Sequence, residues 1–269
     1  MRLWVLSDLH TTPDAPWLPK VRPEFDVLVV AGDVYDSDIE RSILWTAQVA
    51  DGHPAVFVPG NHEFWGRTIE DELERAERRA QMEGVTLLSG QGWVAVAGGH
   101  FAGGTLWTDL QLNQPEGHIL YPREFGDPID VRGPGIDRRA KGRDIACRHR
   151  AEVDVLEAIL DPDVAPEGPR IVVTHYAPNI EVLPRHLWDQ PSAAASASDL
   201  DHLTDVGAVH LWICGHVHRS VDFVPGYGTR IVSNPRGENG SNPAFDEALV
   251  VEIACPVPVA NNVPDTPSV

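Results

Sequence analysis

Residues 55–63 read Ala55-Val56-Phe57-Val58-Pro59-Gly60-Asn61-His62-Glu63. A continuous apolar run with β-branched residues suits a strand buried on both faces, and the Pro-Gly pair stops it. Three polar, chemistry-capable side chains follow at once. The same grammar recurs along the chain. Leu3-Trp4-Val5-Leu6 leads into Ser7-Asp8-Leu9-His10, and Val27-Leu28-Val29-Val30 into Ala31-Gly32-Asp33. Ile171-Val172-Val173 leads into Thr174-His175, and Leu211-Trp212-Ile213-Cys214 into Gly215-His216-Val217-His218.

Between these strands lie helical patterns. Asp38 to Asp51 and the charge-rich Thr68 to Glu83 are two. A third runs from Arg148 to Leu160, with Val153, Leu156 and Ile159 at helical spacing and Asp161-Pro162 to end it. Ser198 or Asp199 is placed to cap a short helix through Leu203. Strands alternating with helices indicate an α/β layered fold. Further strand candidates lack interposed helices: Thr86 to Leu88, Trp93 to Ala97, His100 to Leu106, Val221 to Val224, Arg230 to Val232 and Leu249 to Ile253. They are expected as antiparallel additions that turn one sheet into a two-sheet α/β sandwich. One domain over 1–254 is expected, with loops or a cap over the site at 108–143 and 177–197, and a C-terminal tail at 255–269. Unstructured stretches of that length in a compact domain are usually functional.

Composition narrows the function. The chain has 269 residues, 42% of them hydrophobic, which is ample for a real core. Its formal charge is -19, from 40 acidic and 21 basic residues, so a polyphosphate backbone is repelled at long range and nucleic acid is a poor partner. A phosphorylated substrate would need a local positive site, which bound metal ions can supply. Three cysteines, Cys147, Cys214 and Cys255, without short spacings make neither a disulfide framework nor a thiolate zinc site. The first apolar run, Leu3 to Leu6, is too short for a signal-peptide core or a membrane span, and a soluble, cytoplasmic protein is expected.

The polar clusters hold the chemistry. Ligands of open α/β sheets gather at the carboxyl ends of strands. The clusters offer carboxylate, imidazole and amide donors, which suit Mn, Fe or Zn. Asp8, His10, Asp33, Asn61, His175, His216 and His218 are too many for one tetrahedral zinc with an open position. They suit two divalent ions sharing a carboxylate.

These blocks resemble the calcineurin-like metallophosphoesterase superfamily: Asp8-Leu9-His10, Gly32-Asp33, Gly60-Asn61-His62-Glu63, a lone His175 and Gly215-His216-Val217-His218, complete and in order. The resemblance implies a four-layer αββα sandwich of two mixed sheets flanked by helices. It also implies hydrolysis by a hydroxide held on two metals. Asp8, His10 and His218 would bind one ion and Asn61, His175 and His216 the other, with Asp33 between them. His62 would contact the phosphate, as Asn61 would, and protonate the leaving oxygen. Asp36 would hydrogen-bond His62 and keep it protonated.

A small-molecule phosphodiester or phosphomonoester is the expected substrate. The block set also looks like the bacterial class III cyclic-nucleotide phosphodiesterases. The Asp-Arg-Gly ending typical of protein phosphatases is absent, because Ser37 and Asp38 follow Asp36. A reading from another class is a silent metal-binding scaffold for protein partners, although such chains usually lack ligands that are intact here. His149, His186, Trp107 and Trp188 border the long loops and are weighed as substrate contacts against ordinary structural roles. Arg236 is weighed as a phosphate contact against a surface arginine.

Overall fold

A computed structural model gives the fold and describes residues 1–254 apart from 122, 124, 162, 205–208 and 227. The tail expected at 255–269, with Cys255, lies outside the described residues.

The elements run β1 (Arg2–Leu6), β2 (Val27–Val30), α1 (Ile39–Ala50), β3 (Ala55–Phe57), α2 (Ile69–Glu83), β4 (Thr86–Leu87), β5 (Val94–Val96) and β6 (Gly99–Gly104). Then follow β7 (Asp130–Gly133), β8 (Ile136–Arg139), α3 (Gly142–Ile159), β9 (Arg170–Thr174), α4 (Asp201–Thr204), β10 (Leu211–Cys214), β11 (Val221–Phe223), β12 (Arg230–Ser233) and β13 (Val250–Glu252). One sheet has the order β13-β1-β2-β3-β4 and the other β11-β12-β10-β9-β6-β5, while β7 and β8 form a separate hairpin.

Strand alternation explains the layers, because successive side chains point to opposite faces. Trp4, Leu6, Leu28, Val30 and Phe57 pack with Ile39 and Ile43 of α1 and Ile69 and Ala76 of α2. Their neighbours Leu3, Val5, Val27, Val29 and Val56 face the second sheet, meeting Phe101, Ile171, Val173, Ile213 and Val232. The far face of that sheet presents Ala102, Val172, Trp212 and Ile231 to Val153 and Leu156 of α3 and Leu203 of α4. The result is helix, sheet, sheet, helix: the four-layer sandwich.

The helices follow local rules. The Asp38 side chain accepts the Arg41 N–H at 3.0 Å and caps α1. Gly84, in the left-handed region at φ 69°, ends α2. The third helix begins six residues before its expected start at Arg148. No conventional capping residue marks that start. Instead the Asp144 carboxylate reaches back to the Lys141 N–H at 2.7 Å. The segment 108–143 is therefore not all loop: it contains the β7–β8 hairpin and the first residues of α3. The segment 177–197 carries three short 3₁₀ turns. The helix expected from Ser198 or Asp199 is described over Asp201–Thr204.

The expectation of antiparallel additions holds for β5, β11 and β13. It fails for β4, β6 and β12, which run parallel to β3, β9 and β10. Strand direction depends on which partner a crossover reaches. The β6-to-β9 crossover contains the hairpin and α3, much of which the sequence presented as loop. Among the described residues, no helix is long and apolar enough to cross a membrane.

One feature of α3 has a measurable cost. Glu152 turns inward beside Gly90 and Gly104. Its Oε2 has no hydrogen-bond partner among the described residues. Burial raises its pKa from 4.5 to about 8, against the opposing pull of the Leu106 N–H and Arg148. The native state thus binds the proton more tightly than the unfolded chain, so stability falls as pH rises from 4.5 towards 8. Glu152→Gln is expected to stabilise the protein by about 1–3 kcal/mol above pH 8, with no gain below pH 4.5. Thermal melts across that range check it, and a pH-independent difference would refute the assignment.

Candidate metal centre

The five strands whose runs end in polar residues, β1, β2, β3, β9 and β10, deliver those residues to one place. Backbone hydrogen bonds lock their loops together. Asp8 N–H donates to Gly32 O at 2.9 Å, His10 N–H to Asp33 O at 3.0 Å and Gly215 N–H to His175 O at 2.9 Å. The turns are tight: Asp8, His10, Asp33, His216 and His218 all take positive φ, from 41° to 66°. Non-glycine residues adopt that region only when the surroundings enforce it, and such residues concentrate at functional sites. Gly60 has no room for a side chain, since a Cβ there would lie 2.0 Å from Asp33 Oδ1. At Gly215 a Cβ would lie 2.6 Å from Asp8 Oδ2.

The side chains converge with their donor atoms inward. His218 Nε2 lies 3.0 Å from His10 Nε2 and 3.4 Å from Asp8 Oδ1. His175 Nε2 and His216 Nδ1 lie 3.0 and 3.1 Å from Asn61 Oδ1. Between these groups sits Asp33, 1% exposed, with Oδ2 at 3.3 Å from His175 Nε2 and 3.8 Å from His10 Nε2. Among the described residues, three triads have ligand atoms close enough to hold a cation: Asp8 with His10 and His218, Asp33 with His175 and His216, and His10 with Asp33 and His62. Two observations fit a metal. Asp8 Oδ2 is buried and has no hydrogen-bond partner among the described residues. The Nε2 atoms of His10 and His218 face each other at 3.0 Å, and each neutral ring can turn that lone pair to a cation.

The ionised carboxylates draw positive charge into the cluster, as protons on histidine or as cations. Burial works against the carboxylates of Asp8 and Asp33, but the surrounding histidines hold both below the ordinary range. Burial also opposes charge on His10 and His175, yet neighbouring carboxylates outweigh it and raise them to about 9 and about 10. Burial and His175 push His216 down to about 3, leaving a neutral imidazole.

His62 stands at the edge of the cluster. Its Nδ1 lies 3.0 Å from Asp36 Oδ1, its Nε2 3.9 Å from Asp33 Oδ2, and its ring stacks on Trp65 at 3.5 Å. Burial opposes its protonation, but Asp36 and Asp33 raise its pKa overall. Asp36 also lies 3.5 Å from His10 Nδ1.

All the residues singled out by the motifs thus come together. The looser candidates do not. His149 is buried, its ring against the carbonyls of Leu106 and Trp107, and His186 is exposed on a 3₁₀ turn. Trp107 is buried against Phe64 and Tyr176, and Trp188 carries Arg185 over its ring. Arg236 donates to Leu9 O at 2.9 Å and lies over Trp17.

Three residues given no role in the sequence reading matter here. Glu63, fully buried, accepts the N–H groups of Asp33, Val34 and Gly60 and the Ser42 hydroxyl, between 2.7 and 3.0 Å. It ties the β2 and β3 loops together. Tyr176 stacks on His216 at 4.1 Å. Asp127 accepts from Asn61 Nδ2 at 2.8 Å. Glu63 could have been noticed inside its motif block, whereas nothing local marks Asp127. Both long segments reach the cluster, the second through Ala195 O at 3.3 Å from His216 Nε2.

A family model for the calcineurin-like phosphoesterases matches residues 1–220. No curated protein matches the chain. Among solved structures, a phosphopantetheinyl hydrolase from Mycobacterium tuberculosis is similar with a TM-score of 0.62 at 15% identity, covering 97% of this chain and 98% of that one. A dimetal phosphatase from Danio rerio gives a TM-score of 0.45 at 12% identity, covering 86% of each chain.

Proposed function

The chain belongs to the calcineurin-like phosphoesterase family and is a metal-dependent phosphoesterase; from that premise we propose that it hydrolyses a small-molecule phosphodiester or phosphomonoester at a binuclear centre. The observation that carries the reading is the position of Asp33, whose Oδ2 lies 3.3 Å from His175 Nε2 and 3.8 Å from His10 Nε2, one histidine from each proposed ligand set. Asp8, His10 and His218 would hold one divalent ion, and Asn61, His175 and His216 the other, with Asp33 common to both. When bound, a pair of Mn, Fe or Zn ions activates the nucleophile and offsets charge on the phosphoryl oxygens.

The chain's own groups do the rest. Asp33 accepts the His62 N–H at 3.0 Å, which fixes the His62 backbone beside the shared carboxylate. Asp36 and Trp65 orient the imidazole, and Asp36 favours its charged form. A proton held at His62 Nε2 is then available to the departing oxygen. Asn61 and His62 would contact the phosphoryl group. The segments 108–143 and 177–197 border the cluster and would shape the pocket for the rest of the substrate. A fold likeness to a phosphopantetheinyl hydrolase over nearly the whole chain favours including phosphopantetheinyl compounds in the substrate search.

The test is metal analysis joined to turnover. Protein loaded with defined metals is assayed on bis(p-nitrophenyl) phosphate and p-nitrophenyl phosphate, then on a panel of cyclic nucleotides, phosphopantetheinyl compounds and simple monoesters. Two metal equivalents with turnover of a small ester are expected. Two equivalents with no turnover of any phosphoester would replace this reading with a binding scaffold.

A further inference from the structure

We infer that Asp127 is a positioning residue that sets the amide of Asn61 so that its oxygen, not its nitrogen, faces the metal cluster. The inference rests on the reading of Asn61 as a ligand. A side-chain amide has an acceptor end and a donor end of nearly the same shape, and its neighbours decide which way it points. Asn61 is 2% exposed. One end of its amide meets His175 Nε2 and His216 Nδ1. An amide N–H₂ at that end would present donors where a cation is to sit. The histidines do not enforce the correct choice: His175 Nδ1 faces Ala31 O and His216 Nε2 faces Ala195 O, so in the neutral rings the nitrogens that meet Asn61 are acceptors and would take the donor end of the amide. An ionised carboxylate can only accept. Asp127 Oδ2, 2.8 Å from Asn61 Nδ2, therefore claims the donor end and leaves Oδ1 for the cluster.

Asp127 is itself held in place. The residues after it lie along the loop that follows Asn61. Gly66 N–H donates to Pro128 O at 2.6 Å and Asp130 N–H to Arg67 O at 2.8 Å. Thr68 and Asp130 form a parallel bridge. Ile129, fully buried, anchors the stretch in the core. The segment 108–143 is thus built into the metal centre as well as lying over it. Groups that orient a ligand from behind typically change metal affinity by about 10–100-fold when removed.

The experiment is a titration of metal-free protein with Co²⁺ by visible absorption, repeated with Mn²⁺ by paramagnetic resonance, in the wild type, Asp127→Ala and Asp127→Asn. Asp127→Ala is expected to weaken one of the two equivalents about 10–100-fold and to leave the other within about threefold. Asp127→Asn can offer Asn61 either end of its own amide, so it fixes the direction less well and should recover only part of the loss. Should the alanine variant not fold, Asp127→Ser, whose hydroxyl is too short to span the gap, takes its place. Wild-type affinities in Asp127→Ala or its serine replacement would overturn the inference. So would an Asp127→Asn variant as tight as the wild type, since a group that can only accept would then not be needed. If the wild type takes up fewer than two equivalents, or Asn61→Ala leaves both affinities unchanged, the binuclear reading itself is what fails.

Discussion

His62→Ala is expected to retain two metal equivalents and to lose about 10²–10⁴-fold in kcat on esters with poor leaving groups. The geometry separates the two effects. The ring is oriented from outside the cluster, by Asp36 at Nδ1 and by Trp65 across its face. The triads formed by Asp8, His10 and His218 and by Asp33, His175 and His216 do not need it. A p-nitrophenolate leaves without help, so the loss should shrink on p-nitrophenyl esters and grow on alkyl esters. That dependence marks a proton donor, because a group that merely held the fold would lower both rates alike. The rival use of His62 is the third triad, with His10 and Asp33. Loss of a metal equivalent in the variant would assign it there.

Asp33→Asn should act in the opposite order, with metal first and rate as a consequence. The carboxylate is buried and fully ionised, facing His175 on one side and His10 on the other, and its other oxygen receives the His62 N–H. An amide keeps the volume but removes the charge that faces His175 on one side and His10 on the other. It also places a donor beside ring nitrogens that must face a cation. Affinity for both equivalents is expected to fall by more than about 100-fold, beyond the range for groups that only orient a ligand. Equilibrium dialysis with elemental analysis measures it directly. Wild-type metal content and rate in this variant would remove Asp33 from the centre of the site.

The sequence carried the inner frame well because burial on both faces writes continuous apolar runs, as in Val27 to Val30 and Leu211 to Cys214. Each run ends at a polar cluster, so strand and site could be read together. Strand direction was less legible: β4, β6 and β12 look alike whichever way they pair. The start of α3 was hidden because Lys141 and Gly142 stand where a capping side chain would normally announce a helix. Asp127 was invisible for a different reason. Gly126-Asp127-Pro128 reads as an ordinary turn, and its meaning comes from a partner 66 positions earlier in the chain. Glu63 was printed inside a motif, but its service to Asp33, Val34, Gly60 and Ser42 exists only once three segments have met.

The backbone at Asp8, His10, Asp33, His216 and His218 is wound into the left-handed region, where side-chain-bearing residues cost about 1–2 kcal/mol each. Glycine would sit more comfortably at every one of them, and it would bind nothing. Thermostability and catalysis therefore pull these positions towards different residues. A library of this chain selected for heat resistance alone, with no demand on turnover, would be drawn to erode the centre first and leave the two sheets standing as an inert, tougher shell.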